Sequence, residues 1–247
     1  MQNIIIWGHR GSGFRNTIPS FKKCVDIGVD GIKTEARLSR DGEVILRFLP
    51  FIIINGNKIL LKEANLEMIK QVKLEDNEEI PTLHEMFEEF NDKIRYNFDI
   101  WNVETGIKII DVAKEYHLLK KVEITKPASY RHSFQDLFKP LREKSRDVTL
   151  INSLFSEKQI MQDNYALLEQ MKELNVQVVN LSHHRFNLDI FLRVKKTGFK
   201  FYVWAVLFKY FMKKYLNLNQ EGETIDGIYT NSPDKLVKLR KNMAISY

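Results

Sequence analysis

The amino-acid sequence predicts an α/β fold, a single (β/α)8 TIM barrel spanning residues 1–247. Three observations carry that expectation. Strand-like and helix-like segments alternate from end to end; eight strand segments of parallel type are separated by seven or eight helices; and 247 residues suit a barrel of that count. No linker or low-complexity stretch divides the chain, so one domain is expected.

The elements follow in order. Asn3 to Trp7 reads as an apolar strand. Thr17 to Ile27 has Ile18, Phe21 and Val25 at helical spacing, and Gly28 stops it. Gly31 to Ala36 and Glu43 to Arg47 read as strands joined by the turn sequence Ser39-Arg40-Asp41-Gly42. The extra matter after the second strand segment, about residues 48–80, holds a small hairpin around Asn55-Gly56. A helix runs to Phe90, with Pro81 expected in its first turn. Strands are then predicted at Ile94 to Ile100, Val122 to Thr125, Val148 to Ile151, Val176 to Leu181, Phe199 to Val206 and Gly227 to Thr230. Helices are predicted between them at Glu104 to Tyr116, Phe134 to Glu143, Ser156 to Leu174, Leu188 to Lys196 and Phe208 to Leu216. Pro233 to Asn242 closes the chain.

Composition narrows the function classes. Phe, Tyr and Trp reach 11%, against disorder, and Cys24 is the single cysteine, so intrachain disulfides and multi-cysteine metal sites are excluded. Cys24 is expected as a small buried residue of the first helix. The longest apolar runs fall short of a membrane span and no signal peptide is read, so a cytoplasmic location is expected. The formal charge of +6 allows an anionic partner. The lysines form no dense tail, and no nucleic-acid partner is expected.

A barrel of this kind does its chemistry at the C-terminal ends of its strands. Those ends carry Gly8-His9-Arg10-Gly11, Lys33-Thr34-Glu35, Arg47, Asp99-Ile100-Trp101, Ser182-His183-His184 and Trp204. Trp7 is expected in the core.

Those residues carry a resemblance. Gly8-His9-Arg10-Gly11, Asn16-Thr17, Gly28-Val29-Asp30-Gly31-Ile32 and Asp41-Gly42 look like segments of the glycerophosphodiester phosphodiesterase family. So do Pro81-Thr82-Leu83, Tyr202-Val203-Trp204 and the run from Asp226 to Asp234. The resemblance covers nearly the whole chain. It implies hydrolysis of glycerophosphodiesters, a lipid-metabolic activity, with His9 and Arg10 in the catalytic motif. It also implies a second catalytic histidine and three carboxylates holding Ca or Mg.

The sequence departs from that pattern. The first metal carboxylate position is Lys33, the second is Glu35 and the third is Asp99. The second histidine position is Arg47, a lysine position is Trp101 and a glutamate position is Arg15. Lys33, Arg47 and Arg15 all add positive charge. A lysine ammonium about 4 Å from a divalent ion repels it by roughly 8 kcal/mol at an effective dielectric near 20. Arginine does not exchange protons near neutrality. The expectation is therefore an impaired metal-dependent mechanism, that of a pseudoenzyme where turnover is lost, with no resident cofactor.

Two readings of the site stay open. In one, a metal-free pocket binds a small phosphate-bearing ligand through Lys33, Arg47, Arg15, Trp204 and Trp101. In the other, Lys33 pairs with Glu35 or Asp99 in an internal ion network. His183 and His184 are candidates to replace the missing acid/base group. In the aromatic, basic segment 207–215, Phe208, Phe211, Met212 and Tyr215 are expected to be core, and a membrane-facing or partner-binding face is the alternative. Oligomeric state is left open.

Overall fold

In the computed structural model, which describes residues 4–11, 13 and 15–245, eight parallel strands close into a ring. In chain order they are β1 (Ile5–His9), β2 (Gly31–Leu38), β6 (Arg95–Asp99), β7 (Val122–Lys126), β8 (Thr149–Leu154), β9 (Val178–Ser182), β10 (Lys200–Trp204) and β11 (Gly227–Thr230). β1 closes the ring by pairing with both β11 and β2. Three further strands, β3 (Val44–Leu46), β4 (Phe51–Ile54) and β5 (Asn57–Leu60), stand outside it. β3 runs antiparallel to β2, and β4 and β5 form the hairpin whose turn is Asn55-Gly56.

The helices are α1 (Ile18–Ile27), α2 (Leu66–Lys70), α3 (Leu83–Phe90), α4 (Val103–Glu115), α5 (Phe134–Lys144), α6 (Lys158–Glu173), α7 (Leu188–Lys196), α8 (Lys209–Leu216) and α9 (Pro233–Ile245). None is long and apolar enough to cross a membrane. Their apolar stripes pack on the outer face of the ring: Phe21 and Cys24 of α1, Phe87 of α3 and Leu137 of α5 are buried there with Ile32 and Phe98. Cys24 is fully buried, and that burial pushes its thiol up to about 12. The insertion builds a small cluster of its own from Ile52, Leu61, Ala64, Ile69 and Ile80 against Ile45.

Four expectations about elements need correction. Pro81 precedes the α3 cap rather than opening its first turn, because Thr82 and Glu85 form a capping box. The helix expected from Ser156 to Leu174 breaks at 162–165, where Asp163, Asn164 and Tyr165 take φ of 47°, 54° and 67°. Asp and Asn enter that left-handed region most readily among non-glycine residues. The insertion carries α2 beside its hairpin, a helix too short for periodicity to show. Phe208, expected in the core, is 65% exposed, because α8 buries Met212 and Tyr215 instead. The predicted start of the first strand at Asn3 lies outside the described residues.

The ring interior is half apolar and half polar. Trp7, as expected, is buried there with Ile151, Val178, Tyr202 and Tyr229. Beside them a polar column climbs toward the mouth. Arg95 pairs with Glu123 at 2.8 Å, Asn97 donates to Glu123 at 3.3 Å, and Lys33 donates to Asn97 at 3.3 Å. Burial pushes the Glu123 carboxyl up, against the pull of Arg95.

Gly31 lets this interior close. A Cβ there would lie 2.4 Å from the Trp7 ring and 2.8 Å from the Arg95 carbonyl. Gly31→Ala is therefore expected to cost about 1–3 kcal/mol or more, as overpacking does. Urea unfolding checks this; an unchanged midpoint would show that Trp7 yields freely.

Candidate functional site

Strand register assembles the site. β2 and β6 pair with Lys33 beside Asn97 and Glu35 beside Asp99, so alternation sends all four side chains into the ring. β1 delivers His9 next to Lys33. Just past it, Arg10 takes φ of 61°, a left-handed conformation unusual for a long side chain. Its backbone is held by hydrogen bonds from Arg10 N to the Lys33 carbonyl at 2.7 Å and from Asn16 N to the Arg10 carbonyl at 3.0 Å.

Glu35 is the hub. It is 1% exposed and receives Arg10 Nε at 2.7 Å, Arg10 Nη2 at 2.6 Å and Asn16 Nδ2 at 3.0 Å. His9 Nε2 lies 3.4 Å from the same carboxylate, and His9 Nδ1 lies 2.9 Å from Asn231 Oδ1. Burial works to raise the Glu35 pKa, but the hydrogen bonds and charges of His9 and Arg10 together outweigh it and bring it down to about 2. Thr34 donates to Asn16 at 2.9 Å and so fixes the Asn16 amide.

Lys33 forms the second centre. It is 5% exposed, pairs directly with Asp99 and also donates to Asn97. Asn97 is oriented by Thr125 donating to its oxygen at 2.9 Å and by its own amide donating to Tyr229 at 2.8 Å. Burial raises the Asp99 pKa, and the neighbouring Lys33 charge opposes that rise.

A cavity of about 190 Å³ opens over these groups. His9, Arg10, Lys33, Glu35 and Asp99 line one side, and Ser153 and Asn180 line the opposite side. Phe48, Trp101, Phe155 and Trp204 wall its rim. Phe48 lies under the Arg10 guanidinium at 3.8 Å, and Phe155 meets Trp204 edge-on at 5.9 Å. Asn180 donates to Ser153 at 2.7 Å, while its own buried oxygen has no partner among the described residues.

The structure brings together His9, Arg10, Lys33, Glu35, Asp99, Trp101 and Trp204. It places four other candidates elsewhere. The Arg47 backbone donates to the Glu35 carbonyl at 2.9 Å, but its guanidinium turns to the Phe51 carbonyl at 3.1 Å. Arg15 pairs with Asp76 and with Glu78 at 3.7 Å, outside the cavity wall. His183 is buried, with both ring nitrogens lacking a hydrogen-bond partner among the described residues, 3.9 Å from the His184 ring and 4.7 Å from Phe211, and neither histidine is among the described residues that line the cavity. Trp101 lies beneath the Arg37 guanidinium at 4.4 Å.

Sequence reasoning missed Asn16, Asn97, Asn180 and Asn231 as site residues. Strand alternation could have found Asn97 and Asn180, which sit on inward positions; Asn16 and Asn231 are set by loops.

The residues present do not fit the Ca or Mg ion that the resemblance implies. The Lys33 ammonium stands on Asp99, and Glu35 is already held by the Arg10 guanidinium, the His9 ring and the Asn16 amide. Among the described residues, no three or more His, Cys, Asp or Glu side chains are grouped to hold a metal.

Comparisons with known proteins agree with this fold. Residues 8–235 match the model of the glycerophosphoryl diester phosphodiesterase family. A glycerophosphodiester phosphodiesterase of Caldanaerobacter subterraneus subsp. tengcongensis is 28% identical, over 97% of this chain and 98% of its own. The solved glycerophosphodiester phosphodiesterase of Thermotoga maritima superposes with a TM-score of 0.77 at 23% identity, covering 97% of this chain and 100% of that one. An Oleispira antarctica phosphodiesterase, solved with the product sn-glycerol-3-phosphate, superposes with a TM-score of 0.77 at 17% identity, covering 98% and 97%. With its closed ring, its His-Arg motif at the mouth and a family match over most of its length, this chain belongs to the glycerophosphoryl diester phosphodiesterase family.

Proposed function

We propose that this chain binds a phosphate ester of the glycerophosphodiester class at the barrel mouth, with fixed cations in place of a divalent metal. The observation that carries the reading is Lys33 seated on Asp99 inside the cavity wall.

Donor capacity supports it. Lys33 has three N–H groups and spends two, on Asp99 and Asn97. Arg10 spends Nε and Nη2 on Glu35, leaving Nη1 without a partner among the described residues. The third Lys33 proton and Arg10 Nη1 are the donors for a phosphate oxygen. Fixed N–H donors bind phosphate through charge-assisted hydrogen bonds. The unpartnered Asn180 oxygen, on the facing wall, accepts from a ligand hydroxyl. The glycerol phosphate bound by the Oleispira antarctica relative belongs to the same chemical class.

Hydrolysis is slow in this reading. Among the described residues His9 is the single imidazole lining the cavity, and the Arg47 guanidinium is turned away. Loss of one acid/base group costs about 10²–10⁴ in rate.

Calorimetric titration with sn-glycerol 3-phosphate, in chelator and then in Ca²⁺ or Mg²⁺, is expected to show the same affinity throughout. Glycerophosphocholine turnover is expected to show no metal stimulation. Stoichiometric metal binding, or metal-dependent turnover at about 1–10³ s⁻¹, would overturn the proposal.

A further inference from the structure

We infer that the barrel mouth seats on an anionic lipid surface, so that the phosphate ester reaching the cavity is a lipid head group. This names the source of the ligand and rests on the phosphate-binding reading above.

The distribution of exposed apolar side chains is the first support. Nine large hydrophobic residues are exposed among the described residues, and seven of them lie in three places: residues 48–53, Phe155 and residues 207–210. All three are at the mouth. Phe48 and Phe155 line the cavity itself, and Leu207 follows Trp204, which also lines it. Phe208 and Tyr210 are 65% and 72% exposed. Soluble proteins scatter such residues singly; a rim of them around a polar cavity marks a docking face. Aromatic rings next to lysines are the composition of an interfacial, non-spanning contact.

Charge commits the occupant. Five of the segments around the mouth, 47–60, 127–133, 155–158, 183–187 and 205–210, contain Arg47, Lys58, Arg131, Lys158, Arg185 and Lys209 against one acidic residue, Glu157, while Asp76 and Glu78 of the insertion are engaged by Arg15. None of those six cations forms an ion pair among the described residues. Five are exposed and Arg47 is half-buried. Cations near an anionic membrane surface each strengthen attachment. The lipid face and the cavity are continuous: the Phe155 ring packs on Trp204, so a head group beside the rim is already at the cavity wall.

The test is co-sedimentation of the full chain with vesicles, either phosphatidylcholine alone or an equal mixture with phosphatidylglycerol. Binding is expected to the mixture, weakening with added salt. Phe208→Ser and Tyr210→Ser are each expected to lower the partition coefficient about tenfold, the effect of losing one buried ring. Lys209→Gln is expected to lower it about fivefold. All three side chains are exposed, and the variants are expected to keep the wild-type unfolding midpoint and wild-type affinity for soluble sn-glycerol 3-phosphate. Binding of that soluble ligand without vesicle binding overturns the lipid docking and spares the phosphate site. Vesicle binding without it overturns the phosphate site and spares the docking face. Equal binding to neutral vesicles overturns the charge argument. A dimer in sedimentation analysis that Phe208→Ser dissociates, with no vesicle binding, shows that a second copy covers this face and overturns the proposal.

Discussion

Lys33→Met is expected to lower stability by about 3–5 kcal/mol, the usual cost of removing one partner of a buried ion pair. Asp99 would be left inside the ring with Asn97 turned to Thr125 and Tyr229 and no cation beside it. For a chain of this length the melting temperature falls by about 10 °C. Lys33→Met combined with Asp99→Leu is expected to recover most of the loss, since replacing both charges removes the uncompensated one. Lys33→Glu puts three carboxylates at the mouth. It is expected to melt earlier than wild type in chelator and to gain about 2.7 kcal/mol in Ca²⁺ at a hundredfold excess over Kd. Thermal melts of the four proteins with and without Ca²⁺ check the set. A wild type stabilised by Ca²⁺ as strongly as the Lys33→Glu variant would refute the assignment of Lys33 as the cation of the site.

The second large effect is acid sensitivity through Glu35. Its carboxyl is held at about 2 in the fold against an ordinary 4.5, so folding favours the ionised form. That stabilisation is complete above about pH 4.5, declines as the pH falls and is gone below about pH 2. At 1.36 kcal/mol per pKa unit it amounts to about 3 kcal/mol. Asp99 and Glu123 run the other way: burial raises their pKa values, so protonating them in the same descent stabilises the fold. Glu35→Gln isolates the first contribution. The variant is expected to be about 3 kcal/mol less stable than wild type near neutrality and to converge on it below about pH 2. Urea unfolding across that range measures both curves, and curves that stay parallel would rule out Glu35 as the acid-sensitive group.

The departures within the site share a cause. Glu35 and Asp99 keep carboxylates where the family resemblance implies metal ligands, yet each now neutralises a cation of this chain. Lys33 shares the inward face of β2 with Glu35, so exchanging a carboxylate for an ammonium there supplies the counter-charge from within the same wall.

Sequence by itself determined the ring and the end at which the chemistry sits. Alternating strand and helix patterns select the barrel, and two-residue periodicity on β2 and β6 aims Lys33, Glu35, Asn97 and Asp99 inward whatever their partners. Partner choice was decided only by the tertiary structure, because it joins residues far apart in the chain through flexible side chains. Lys33 could pair with Glu35 on its own strand or with Asp99 across the sheet; the claim of Arg10 and His9 on Glu35 leaves Asp99 for it. Arg47 shares its charge and its predicted position with the site, but the hairpin offers the Phe51 carbonyl nearer than the cavity. Arg15 finds acidic residues of the insertion, and His183 finds Phe211. Phe208 carries a core residue's composition, yet α8 turns Met212 and Tyr215 inward and leaves Phe208, its N-cap residue, exposed. Strand direction is a local property of the backbone, whereas the ion pairs of Lys33, Glu35 and Arg15 depend on which distant group reaches them once the ring has closed.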